Sequence, residues 1–287
     1  MNILTQAISR KGAQSSVVAL HCSLGSGRQW ARLGTGLGAR LIAPDLIGYG
    51  SNPCLLDLPA TLAQEVQALS EHLRDIKGPI HLVGHSYGGA IAFKIATSPE
   101  FEHRIRSLSL IEPVLPTLLL ESEPDRRLYH QFAHLAREVS NDIWNGSMME
   151  AIDKFTEFWA GSGPREELSP TARIRMIEHA QRLPFDFMSA FSEQNVTIAA
   201  ASLRVPTLLF SGGHSPNLTQ RIVRRLDALI EGSKWRHRVD AGHMLAMSHA
   251  PIINPAIAAH ISRADELAGV PLAAEPPEAG VLRFVRG

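Results

Sequence analysis

The sequence predicts an α/β protein whose mostly parallel sheet is interrupted by one helical insertion. Three features support this: short β-branched or apolar runs alternate with longer helical patterns up to about Pro113, strand-like runs vanish between residues 114 and 203, and the alternation returns after 204. Parallel neighbours must be joined by a crossover long enough to travel back along the sheet, so such alternation is the signature of βαβ units.

Taken in chain order, residues 16–22, 40–45, 79–84 and 105–112 read as strands. Residues 58–76 set Leu62, Val66, Leu69 and Leu73 at spacings of three and four, the stripe of a helix packed on a sheet. A second helix is expected over 87–97. The insertion carries Trp144, Phe155, Phe158, Trp159, Phe185 and Phe187 among helical repeats. Within it, Ser169 before Pro170 marks a helix start, because the hydroxyl can accept an orphan amide and proline's φ suits the first turn. Strands at 207–212 and 235–239 and helices at 219–230 and 255–267 complete the pattern. The expected division is a core at 1–113 and 204–268, an insertion at 114–203, and a loosely attached tail at 269–287 containing PLAAEPPEAG.

With 287 residues, 45% hydrophobic and 20% charged, the chain can bury a sizeable core. Its 28 basic and 28 acidic side chains cancel, so no net field draws it to nucleic-acid phosphates or an anionic membrane. The opening MNILTQAISRKGAQSS lacks an apolar core of signal-peptide length, and no stretch reaches the roughly 18 apolar residues of a bilayer span. A cytoplasmic location is expected. Two cysteines, Cys22 and Cys54, cannot build a disulfide framework, in keeping with a reducing compartment.

The chemistry is concentrated in HLVGHSYGG, residues 81–89, where an apolar strand runs into Gly84-His85-Ser86-Tyr87-Gly88 and then a helical pattern. In that context a G-x-S-x-G element is a tight turn that holds the serine strained and exposed above the sheet. A serine hydroxyl is a weak nucleophile and needs a base, itself oriented by a third group. His243, in VDAGHM after the last strand pattern, is the candidate base.

With these motifs in hand, the chain from about Val17 to Leu267 resembles the α/β-hydrolase superfamily. HCSLGSGRQW, APDLIGYGSN, GHSYGG, PTLLFSGGHSP and DAGHM occur in the family's order. The resemblance implies an eight-stranded, mostly parallel sheet flanked by helices, with the insertion as a helical cap over the active site. It also implies an oxyanion hole from the amides of Tyr87 and Ser23, although His21-Cys22 departs from the family's usual His-Gly start of that loop. The family usually places its acid in a Gly-x-x-Asp pattern, where Gly212-Gly213-His214-Ser215 here has serine. Either the triad is incomplete or its acid comes from elsewhere. Glu112 at the end of the strand over 105–112 is the candidate, since family members resembling haloalkane dehalogenases draw their acid from that strand end. Its alternative is a structural glutamate. Asp45 fits a turn role better.

Trp30, Phe158, Trp159, Phe185 and Met244 are candidates to line an apolar pocket, each with a core role as the alternative. No phosphate loop, dinucleotide fingerprint or His-Glu-x-x-His helix is present, so no cofactor and no metal are expected. The expected activity is that of a serine hydrolase acting on an ester or related carbonyl compound. Its partner would be a small-molecule substrate, not nucleic acid or membrane, and a homodimer is left open. The alternatives are a carbon-carbon bond hydrolase of a diketone and a low-turnover binding protein on the same scaffold.

Overall fold

The computed structural model describes residues 15–52, 58–163 and 168–269. Cys54 and all but the first residue of the expected tail lie outside these. Six strands form: β1 (Ser16–Leu20), β2 (Arg40–Ile42), β3 (Ile80–His85), β4 (Ile105–Ile111), β5 (Thr207–Gly212) and β6 (Lys234–Arg238). Their order is β2-β1-β3-β4-β5-β6, and every neighbouring pair is parallel. The eight strands implied by the resemblance are thus six among the described residues. Each strand-like run became a strand, and the larger count had no further run behind it. β2 stops short of its expected end because Pro44 has no N–H to give a ladder. Asp45 instead closes a turn, accepting from the Gly27 and Ser51 amides at 2.7 Å each.

The helices are α1 (Leu62–Asp75), α2 (Tyr87–Ala96), α3 (Glu123–Trp144), α4 (Met148–Ala160), α5 (Pro170–His179), α6 (Leu183–Ser192), α7 (Val196–Ser202), α8 (Asn217–Leu229), α9 (Leu245–Ser248) and α10 (Ala250–Leu267). The Thr61 hydroxyl caps α1 by accepting from the Gln64 amide, and Ser169 caps α5 from Ala172. Helix α10 starts at Ala250, before the expected 255. Pro251 occupies its first turn, where a missing N–H costs nothing, and Pro255 falls inside the helix. No helix among the described residues is long and apolar enough to cross a membrane.

Alternation along the strands divides the core. Val18, Leu20, Leu82, Leu110 and Leu209 face the side covered by α1, α2 and α8. Val17, Ala19, Val83, Ile111, Leu208 and Phe210 face the side covered by α10 through Ile253, Ile257 and Ile261. Helices α3 to α7 lie between β4 and β5 in sequence.

Strand β1 has β2 on one side and β3 on the other, so the connections leave it in opposite directions. The carboxyl ends of β1 and β3 flank this switch point, where open α/β sheets form their crevice. The turn after β3 is possible there only because glycine lets backbones approach. A Cβ on Gly88 would stand 2.4 Å from the His21 carbonyl oxygen and 2.5 Å from that of Leu20, and one on Gly84 would stand 2.4 Å from the Gly88 oxygen. These are fixed backbone atoms, not movable side-chain ends. Gly88→Ala should therefore destabilise the protein by about 3 kcal/mol, the upper end of overpacking costs. Urea unfolding checks this, and an unchanged midpoint would contradict the close approach.

Candidate active site

Ser86 lies between β3 and α2 with φ 56° and ψ −119°, a conformation few non-glycine residues adopt. Its amide donates to the Ile111 carbonyl, and its carbonyl accepts from the Gly89 and Val114 amides, so the turn is held on both sides. Among the described non-glycine residues, positive φ occurs at Leu24, Ser86, Glu112 and Asn195. The first three sit in the loop after β1, the turn after β3 and the end of β4, so backbone strain gathers at one end of the sheet.

That end assembles a hydrogen-bonded chain. His243, in the loop after β6, has Nε2 2.9 Å from the Ser86 Oγ and Nδ1 2.6 Å from Glu112 Oε2. A carboxylate accepts only, so Nδ1 carries the proton and Nε2 is free to accept from the serine hydroxyl. Glu112 is fully buried. Its Oε1 accepts from the Gly212 amide at 2.7 Å, and Oε2 also accepts from the Thr219 hydroxyl at 3.2 Å. Three donors thus compensate the buried carboxylate. The turn that carries the acid in the family pattern here contributes its Gly212 amide to Glu112. The Ser215 hydroxyl, buried on that turn, has no hydrogen-bond partner among the described residues.

A second imidazole backs the first. His85 Nε2 donates to the His243 carbonyl at 2.8 Å, so its Nδ1 accepts from Gln29 Nε2 at 3.0 Å. Burial, reinforced by neighbouring His243, pulls the His85 pKa down to about 3. Burial likewise takes His21 down to about 4, and its Nε2 accepts from the Leu46 amide at 3.0 Å. Burial pushes the Cys22 thiol up to about 12, so it supplies no thiolate.

Over Ser86 lies a small cavity of about 20 Å³. Val114, Phe132, Phe155, Trp159, Leu183 and Phe187 supply its apolar wall, and Ser23, Tyr87 and Asp186 its polar side. The Trp159 ring, on α4, stacks on His243 with centroids 4.1 Å apart and planes 20° apart. Of the other expected pocket residues, Trp30 is a correction. It ends the short 3₁₀ turn Gly27–Trp30 and is buried with Val17, Ala19 and Leu33 on the α10 side of the sheet. Met244 is partly exposed beside His243 and, like Phe158 and Phe185, is not among the cavity-lining residues. Among the described residues no group of three metal-ligating side chains forms.

Arg182, Asp186, Gln29 and Phe132 escaped the sequence reading. The Arg182–Asp186 spacing of four on one helical face was a visible signal, but only burial distinguishes it from a surface ion pair.

The protein belongs to the α/β-hydrolase family, whose model matches residues 17–254. It is 35% identical over 171 residues to Lipase LipV of Mycobacterium tuberculosis, an alignment covering 58% of each chain. The chain thus spans less than two thirds of that relative. Among solved structures, it is similar to a bromoperoxidase from Bacillus anthracis, with a TM-score of 0.71 and 21% identity, covering 88% of this chain and 93% of the other. It is also similar to MenH from S. aureus, with a TM-score of 0.68 and 17% identity, covering 88% and 94%. At such identities the likeness concerns the fold.

The two neutral histidines set an acid limit. Each has a native pKa below its unfolded value of 6.5, so the unfolded chain binds more protons below that pH. Their stabilisation is complete above about 6.5 and is lost as pH falls toward 4, on the order of 3 kcal/mol per histidine. Glu65, raised to about 7 by burial, and Asp186, also raised, have the opposite slope, while buried His81 and His260, both lowered, add to that of His21 and His85. The urea midpoint should fall between pH 6.5 and 4, and His85→Gln should make that fall shallower. An identical slope in the variant would mean that His85 does not stay neutral.

Proposed function

We propose that the protein is a serine hydrolase cleaving short-acyl carboxylic esters through an acyl-Ser86 intermediate. The observation that carries this reading is the continuous hydrogen-bonded chain from Ser86 Oγ through His243 to Glu112, at 2.9 and 2.6 Å. As Ser86 Oγ bonds to the ester carbonyl carbon, its proton passes to His243 Nε2, and Glu112 offsets the imidazolium charge while holding the ring's tautomer. The carbonyl oxygen gains negative charge facing the amides of Ser23 and Tyr87. Neither amide has a hydrogen-bond partner among the described residues, so both are free to stabilise it. The carbon–oxygen bond to the alcohol then breaks as His243 returns the proton to the leaving group. Water deprotonated by His243 attacks the acyl carbon, and Ser86 regains its hydrogen as the acid departs.

The substrate class follows from the cavity. Its aromatic walls suit an uncharged acyl group, and its volume of about 20 Å³, far below the roughly 300–1,000 Å³ usual for ligand pockets, favours a short one. Arg182, which contacts the lining residue Asp186, is buried against two carboxylates, so its charge is compensated within the protein and not offered to an anionic substrate. Helices α3 to α7 would act as the cap, with Trp159 shielding one face of His243 from water. The relative named as a lipase agrees with ester chemistry.

A fluorophosphonate probe should label the native protein and leave Ser86→Ala unlabelled; equal labelling would remove Ser86 as nucleophile. Glu112→Gln should keep the fold and lower kcat by about 10⁴, as expected when the base loses its orienting charge. Near-normal turnover would leave Glu112 a structural role only. In a series of p-nitrophenyl esters, acetyl or butyryl should exceed palmitoyl by at least about tenfold in kcat/KM.

A further inference from the structure

Both residues proposed to supply oxyanion amides have side chains tied into one buried ionic network that the chemistry itself does not use. Arg182, fully buried at the start of α6, contacts Glu65 of α1 through Nη2 and Asp186 Oδ1 through Nε at 2.9 Å. Its Nη1 donates to the Pro59 carbonyl at 3.0 Å. The Ser23 hydroxyl donates to Asp186 Oδ2 at 2.5 Å, as does the Tyr49 hydroxyl. The Tyr87 hydroxyl donates to Glu65 Oε1 at 2.7 Å and stands 3.3 Å from Arg182 Nη2. One guanidinium thus joins the loop after β1, the turn after β3, helix α1 and the inserted helix α6. Burial raises the carboxyls of both Glu65 and Asp186, as expected for two acids sharing one cation away from water.

We infer that this network is a clamp setting the oxyanion hole, with Asp186 as the positioning residue through which the docked insertion fixes the Ser23 loop against the Tyr87 turn. The physical need is clear. The loop departs from the family's glycine with Cys22 and holds Leu24 at φ 57°, so its backbone is strained. A strained loop holds its amide on target only when its side chains are tied down. The Ser23–Asp186 bond spans 163 residues and belongs to the folded insertion alone. With α6 undocked, Ser23 would lose that bond and Tyr87 would lose Arg182. The hole would then form only when the cavity is covered, which limits hydrolysis to substrates the insertion has closed over.

This rests on the proposed nucleophile and oxyanion amides, and the test separates the two. Ser23→Ala removes only the hydroxyl and keeps the amide, so it should fold. With a short-acyl ester it should lower kcat about ten- to hundredfold, with KM within about threefold, the effect of an amide displaced rather than deleted. The second-order rate of fluorophosphonate labelling should fall in parallel. Asp186→Ala should do the same, and the double variant should lose no more than about twofold beyond Asp186→Ala, since both break one contact. Ser23→Thr, which keeps the hydroxyl, should restore most of the rate. Losses that multiply in the double variant, a change confined to KM, or wild-type labelling rates in Ser23→Ala would each overturn the clamp. Failure of the wild type to label at Ser86 would overturn the underlying reading instead.

Discussion

The bond between Glu112 and His243 is the constraint on which the arrangement depends. A carboxylate with no exposure to water is costly unless every lone pair it turns inward meets a donor. The Gly212 amide, the Thr219 hydroxyl and the His243 ring meet that demand, and each comes from a different part of the chain after β4. The acid therefore fixes the loop after β6 against β5 and α8. His243 can face Ser86 at 2.9 Å only because its other nitrogen is anchored. The left-handed φ of Glu112 is the local cost of turning its side chain toward β5 at the strand end.

Around this bond the core and the inserted helices share the site. The sheet delivers Ser86, His243 and Glu112, and α4 lays the Trp159 ring across the imidazole. Helix α6 brings two charged side chains down to the β1 loop and the α2 turn. Ion pairs this deeply buried are rarely the most stabilising way to fill space. Their directionality is what they add, because a guanidinium and two carboxylates accept few relative placements whereas apolar packing accepts many. Behind the site, His21 and His85 stay neutral, His21 bridging two backbone groups and His85 joining the His243 carbonyl to the Gln29 side chain.

Much of this was legible along the chain, for identifiable reasons. The runs of the inner strands were mostly apolar because a parallel sheet is covered on both faces, whereas the edge strand β6, Lys234–Arg238, is charged, and Gly84 and Gly88 were readable because only glycine permits the backbone approaches measured there. Glu112 could be considered once serine was seen at position 215. The pocket was less legible. Trp30 and Phe187 look alike as residue types, yet one packs toward α10 and the other lines the cavity. Arg182 and Asp186 stand at i, i+4, a spacing that does not by itself tell a buried pair from a surface one.

Period and turn chemistry, which act over a few residues, decided the strands, the serine turn and the helical character of residues 114–203 before any folding was considered. Partnership was decided only when the chain closed on itself. Ser86 meets His243 across 157 positions, and Ser23 meets Asp186 across 163. Contacts of that span depend on strand order and helix docking, because a side chain's identity states what it can bond to while only the packed backbone determines what stands beside it.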